Sequence, residues 1–420
     1  MIEFTQFEED VSLHKSQIMR KLLVFVALLM GFILYGQTTA GDYFERGNIH
    51  LDAKAYEAAL RDFNKSIELK PDYSEAYHNR GLAKYELRDT FGAIADYDRA
   101  IKLKPYSSEA YNDRGNVKHD LKDYKGAIAD YDKAIEIEPD YANAYFNRGL
   151  AKVELRDYWG GITDYDKAIR LKPDYPKAYN SRGIAKYELR DFTGAILDYN
   201  QAIELKPDYA FAYNNRGSAK QDYREAIEDY DKAIELKPDY AEAYYNRGNA
   251  QYNIKNYVGA IGDYSKTIEL KPNFSAAYNN RGSAKNELSD YRGAIVDLNR
   301  AIELYPNYGV AYKNRGNAKN HLRDYKGALK DYDKAIELNP DDAQAYYNRG
   351  NALYDQEDYA RALVDYSKAL ELNPGYARGY LMRGTCKILT GQKESGCMDL
   401  SKAAEFGLTD AYDYIKMNCQ

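Results

Sequence analysis

Histidine, cysteine and tryptophan are scarce in this 420-residue chain, which has five, three and one of them. The histidines (His14, His50, His78, His119 and His321) have no second ligand at metal spacing, and no nucleophile elbow, phosphate loop, GxGxxG or CxxC occurs. The residues therefore point to no catalytic centre and no cofactor or metal. His78 and His119 fall on the inner face of predicted helices and read as solvated groups. Carboxylate pairs such as Asp96 and Asp98 recur by repetition, as a solvated face would. A basic face is also lacking: the net charge is −6 and both signs are mixed along the chain, which argues against a nucleic-acid partner. Long apolar runs are missing too. The one at Leu22 to Tyr35 is fourteen residues, short of the roughly 17 to 25 that a membrane-spanning helix needs.

That run has a recognisable context. Residues 1–18 form an acidic, polar leader, Met19-Arg20-Lys21 precedes the apolar stretch, and Gly36 to Ala40 ends it with small residues. The order is that of a signal peptide over 19–40, cleaved after Ala40. An uncleaved signal-anchor and a buried core helix stay open, and only the anchor would bring the protein to a membrane. Lys15, Arg20 and Lys21 precede the run, so the repeats are expected outside the cytoplasm in either export case, in the periplasm, at the cell surface or secreted. Met19 is the better start, because an acidic leader is unusual before such a segment.

What the chain has in abundance is period. Arg-Gly recurs at 46, 80, 114, 148, 182, 216, 247, 281, 315, 349 and 383, with nine intervals of 34 residues and one of 31. A fixed short period replaces the two or three globular domains that the length suggests with a stacked array. In the unit 74–107, Tyr77, Gly81, Ala83 and Leu87 fall at helical spacing, and Ala93, Ile94, Tyr97, Ala100, Ile101 and Leu103 form a second apolar face. Asp or Asn stands between them in nine units, able to cap the second helix, and Pro follows it in ten. Forty-five tyrosines sit mostly at fixed places in the unit and so are architectural.

The pattern resembles the tetratricopeptide repeat family, helix-turn-helix units of 34 residues with an early aromatic, then Gly, Ala, aromatic, Ala and Pro. The resemblance covers roughly residues 40 to 407. It implies an all-α, right-handed superhelical solenoid of eleven repeats at 41–407, closed by a capping helix at 408–420. It also implies a non-catalytic scaffold that binds a protein or peptide along the first helices. Two departures stand out. Arg replaces the usual large apolar residue before each Gly, and Asp lies sixteen residues on (Asp62 to Asp399, with Asp229 in the short unit). Together they predict a ladder of bidentate ion pairs. The sixth unit, 210–240, lacks three residues around Lys220-Gln221-Asp222, which reads either as a hinge or as a deletion absorbed by a tighter turn.

Groove positions follow from the same resemblance. One row is nearly all Asn: Asn79, Asn147, Asn215, Asn246, Asn280, Asn314 and Asn348. It offers donors and acceptors to an extended peptide, although its side chains could also satisfy neighbouring helices. Family members that grip a chain-terminal carboxylate use a spacing that Lys313, Asn317, Asn348 and Arg378 match, with Met382 where a second basic residue should be. At the C-terminal end, Gly396 and Cys397 replace Ala-Ile. A short helix follows, with Thr409 as N-cap and Ala411, Tyr414, Ile415 and Met417 as apolar contacts. Cys397 and Cys419 could staple this cap, with Cys386 a buried thiol; three free thiols are the alternative.

Overall fold

The structure is a computed structural model that describes residues 38–419. The leader and signal segment expected at 1–37 lie outside the described residues. Among those described, there are 23 helices and no strand. They form eleven consecutive pairs, from Ala40–Asp52 with Tyr56–Leu69 to Ala377–Leu389 with Lys393–Glu405, and a closing helix, Asp410–Asn418. None of them is long and apolar enough to cross a membrane. The contacts divide the chain into two units, one ending at Leu205 and one beginning at Lys206. Within each unit every helix packs on the next in sequence, and most first helices also touch the first helix of the following pair.

The pairing geometry comes from a glycine and an aromatic ring. A Cβ on Gly149 would lie 2.7 Å from Tyr165 Cε1, so only a bare backbone lets the second-helix ring approach the first helix. Tyr165 is 1% exposed there. The same contact recurs at Gly81 with Tyr97 and Gly316 with Tyr332.

Eight of the eleven turns within pairs are closed from both sides. Asp89 Oδ1 accepts from the Gly92 amide at 2.9 Å, and Asp123, Asp157, Asp191, Asn256, Asp290, Asp324 and Asp358 make the corresponding bond. Before it stands a residue with positive φ, such as Arg88 at 65° and Arg156 at 63°. There the amides of Arg88 and Asp89 return to the carbonyls of Tyr85 and Lys84, both at 2.9 Å. This left-handed closure of a helix end normally uses Gly; only the eleventh pair does so, at Gly391.

In the sixth pair the shortening falls entirely on the first helix. Ala210–Ala219 has 10 residues against 13 in most of the others, while Tyr223–Leu236 keeps 14. Lys220 leaves the helix in extended conformation, with φ −73° and ψ 143°, so this turn dispenses with the left-handed residue.

At the C-terminus Cys397 and Cys419 form a disulfide with their Cα atoms 5.8 Å apart, and Cys386 is a buried free thiol. Burial pushes that thiol up to about 12. The closing helix sets Ala411 and Ile415 against Ala403, Ala404 and Tyr380. Two details differ from expectation. Tyr414 and Met417 are exposed, because the i, i+4 pair Ala411 and Ile415 already covers the contact stripe. Thr409 makes no side-chain cap bond, since its backbone is already helical at φ −60° and ψ −37°.

Candidate functional site

Every Arg-Gly arginine reaches its aspartate. Arg148 Nε and Nη2 donate to Asp164 Oδ2 and Oδ1 at 2.9 and 2.6 Å, and the same fork is made from Arg46–Asp62 to Arg383–Asp399. The short pair keeps it as Arg216–Asp229, thirteen residues apart instead of sixteen. Two further partners were not read from the sequence. Arg148 Nη1 donates to Asp132 of the preceding second helix at 2.5 Å, and Lys152 Nζ, one turn on, lies 2.8 Å from Asp164 Oδ2. Arg148 thus ties three helices and Asp164 holds two cations, and most of the other arginines and aspartates do the same. The signal was present, because Lys recurs four residues after the Arg in most units and Asp or Asn two residues after the ladder Asp. Gln251 takes the lysine position in the seventh pair, and its Oε1 is buried without a partner. There burial, outweighing Arg247, holds the Asp263 carboxyl above its ordinary value.

The asparagine row runs beside this ladder and is engaged with itself. Asn79 Nδ2 donates to Asn48 Oδ1 at 2.7 Å, Asn147 to Asn112 and Asn116 at 3.0 Å, and Asn246 to Asn214 at 3.0 Å. Asn280 donates to Tyr245 Oη and Asn249, Asn314 to Asn279 and Asn348 to Asn317. Asn215 accepts from Asn214 at 3.4 Å. Buried tyrosines anchor the acceptors: Tyr332 Oη donates to Asn317 Oδ1 at 2.9 Å, as Tyr264 does to Asn249. The row is therefore first a clasp between successive first helices, and what it offers a ligand is its remaining amide and carbonyl capacity.

In the second unit these helices wall a cleft of about 830 Å³. Its lining is drawn from five consecutive pairs, from Tyr252 to Met382, and is dominated by amides and phenols. Lys313, Asn314, Asn317 and Asn348 meet there, whereas exposed Arg378 is not part of the wall. Lys313 Nζ is held by Asp342 Oδ2 at 2.7 Å with both side chains 18% exposed, and Asn348 Oδ1 accepts from Gln344 at 2.7 Å. Of the inner-face histidines, His78 lies 2.9 Å from Asp113 Oδ2 and His119 packs edge-on against Tyr124. Among the described residues no group of three or more His, Cys, Asp or Glu gathers as metal ligands would.

Comparison with known proteins agrees with this architecture. No curated protein sequence matches the chain. The complex described as "APC/C hetero-tetramer Cut9-Hcn1" has a chain of similar fold, with a TM-score of 0.53 and 15% identity over 96% of this chain and 94% of that one. A tetratricopeptide repeat protein from Parabacteroides merdae aligns over 58% of this chain and 99% of its own, at 19% identity and a TM-score of 0.49. The protein YrrB, described as having an unusual peptide-binding site, aligns over 43% and 95%, at 23% identity and 0.36. Of these three the first alone has a TM-score above 0.5, and at 15% identity it speaks for fold alone. The family description "TPR repeat" matches residues 47–87, 115–155, 157–190, 186–222, 218–255 and 323–357. "Tetratricopeptide repeat" matches 74–107, 241–274, 275–308 and 343–376. With most of its length matched in this way, the chain belongs to the tetratricopeptide repeat family.

Proposed function

We propose that this protein is a non-catalytic scaffold of the cell envelope that holds an extended peptide or helix of a partner protein against the first helices of its repeats. The observation that carries this reading is the cleft between Tyr252 and Met382. Its wall comes from five consecutive helix pairs, a span suited to a chain and too long for a compact metabolite. Amides and phenols spaced along it suit the alternating donors and acceptors of a backbone. An extended occupant is favoured over a chain-terminal carboxylate, because Asp342 already neutralises Lys313. Counting 377–405 as an eleventh, degenerate repeat belongs to the same proposal.

Location outside the cytoplasm is part of it. The Cys397–Cys419 bond suits an oxidising compartment, and residues 19–40 have the order of an export signal. Intact mass after expression in an export-competent host is expected to show cleavage after Ala40; a retained segment would instead make this a membrane-tethered assembly factor. Selection of random displayed peptides on the full chain tests the binding claim. Bound peptides are expected, with roughly tenfold weaker affinity for Asn351→Ala, which removes an amide of the cleft lining whose Oδ1 accepts from Tyr366. Recovery of no peptide would overturn the function proposed.

A further inference from the structure

One end of the cleft has chemistry of its own. Asn286 and Asn320 occupy the same place in successive repeats, and each has committed one of its two amide N–H donors. Asn286 Nδ2 donates to the Asn314 carbonyl at 3.0 Å, and Asn320 Nδ2 to Asp355 Oδ2 at 3.2 Å. Their Oδ1 atoms are buried and accept no hydrogen bond from the protein. Next to them in the lining stand the carboxylates of Glu287 and Asp355. The Tyr291 and His321 rings are stacked there, with centroids 4.6 Å apart and planes 7° apart. Acceptors outnumber donors in what these four polar side chains have to spare: two carboxylates and two unpaired amide oxygens against one remaining N–H on each asparagine. Lys313, the cation of the lining, is already neutralised.

An occupant of this end must donate in several directions, carry positive charge and be flat enough to lie along stacked rings. A peptide amide brings one carbonyl for every N–H, so it does not meet an acceptor-rich wall well. An ammonium donates but has no plane. A guanidinium has five donors, no acceptor and a planar face that stacks on aromatic rings. Carboxylates accept its paired N–H groups bidentately, and single amide oxygens can take the donors that remain.

We propose that this end of the cleft is the receptor for an arginine side chain of the bound partner, with Asn286, Asn320, Glu287 and Asp355 accepting its hydrogen bonds and the Tyr291–His321 stack lying against its plane. The inference rests on the peptide reading above and specifies what that peptide must carry. The test uses random displayed peptides selected on the full wild-type chain and on the double variant Glu287→Gln/Asp355→Asn. Wild-type selections are expected to be enriched in arginine and the variant's to lose that enrichment. In a selected peptide, citrulline in place of the arginine, which keeps the shape and removes the charge, should weaken binding to the wild-type protein at least tenfold, and lysine should weaken it less. Peptides that bind without arginine bias, or that tolerate citrulline, would overturn the arginine receptor while leaving the peptide groove standing. Recovery of no peptide at all would overturn both.

Discussion

At Arg281 the ladder can be weighed one side chain at a time. Its Nε and Nη2 donate to Asp297 at 2.9 and 2.6 Å, its Nη1 to Ser265 at 3.0 Å, and Lys285 lies 2.7 Å from the same carboxylate. Removing one member of a buried pair costs about 3 to 5 kcal/mol when the other is left uncompensated. Arg281→Met leaves Lys285 on Asp297, so it should cost roughly 2 kcal/mol. Asp297→Ala strands two cations and should cost about 3 kcal/mol or more. Urea unfolding of the two variants measures both, and equal costs would show that Lys285 does not share the charge. The seventh pair provides the converse. Asp263 has its pKa raised from the ordinary 3.8, mainly by burial, in the repeat where Gln251 replaces the lysine. A carboxyl with a raised native pKa binds its proton more tightly when folded. Its ionisation therefore weakens folding at neutral pH, and stability returns as pH falls through the native value towards 3.8. Gln251→Lys should raise stability at pH 7 by about 1 kcal/mol, with the gain shrinking as Asp263 is protonated. An identical gain at pH 7 and in acid would refute the assignment.

At the scale of the element, the turns and the closing helix carry the testable features. Arg156 is exposed and sits at φ 63°, a region that costs a side chain about 1 kcal/mol and glycine almost nothing. Arg156→Gly should therefore raise the thermal midpoint, and a lowered one would mean that the arginine makes an interaction that outweighs the strain. Such positions were not legible beforehand, because Lys and Arg there look like ordinary solvated helix ends. The helix pairs themselves were legible, since the Asp caps and the trailing Pro mark where each one starts and stops. At the C-terminus the disulfide closes a segment with a sequence separation of 22, for which chain entropy gives about 3 kcal/mol. Cys419→Ser should increase hydrogen exchange in Asp410–Asn418 and around Ala403 and Ala404, which that helix covers. Unchanged protection would show that apolar contact alone holds the cap.

At the scale of the whole molecule, each pair leans only on its neighbours, so damage should stay local. A Cβ on Gly282 would meet Leu298 Cγ at 2.8 Å and the Ala294 carbonyl at 3.2 Å, which forces the eighth pair apart. Gly282→Val should lower hydrogen-exchange protection in 275–304 and in the adjoining helices 257–270 and 309–321, while 377–405 keeps its own. Uniform loss across 206–420 would mean that this unit unfolds as a single cooperative body.

Period, helix boundaries, the Arg–Asp ladder and the position of the short repeat were all readable from residue spacing. They depend on interactions within one unit of 34 residues, which repetition displays many times over. Contacts between units were not readable in this way. The arginine's third helix and the asparagines that clasp one another depend on where neighbouring helices bring side chains, and spacing along the chain does not measure that distance. For the same reason the acceptor-rich end of the cleft at Asn286, Glu287, Asn320 and Asp355 was missed in a sequence where asparagine is common. Burial in the folded stack is what separates an asparagine whose donor and acceptor are both used from one whose carbonyl still has no partner.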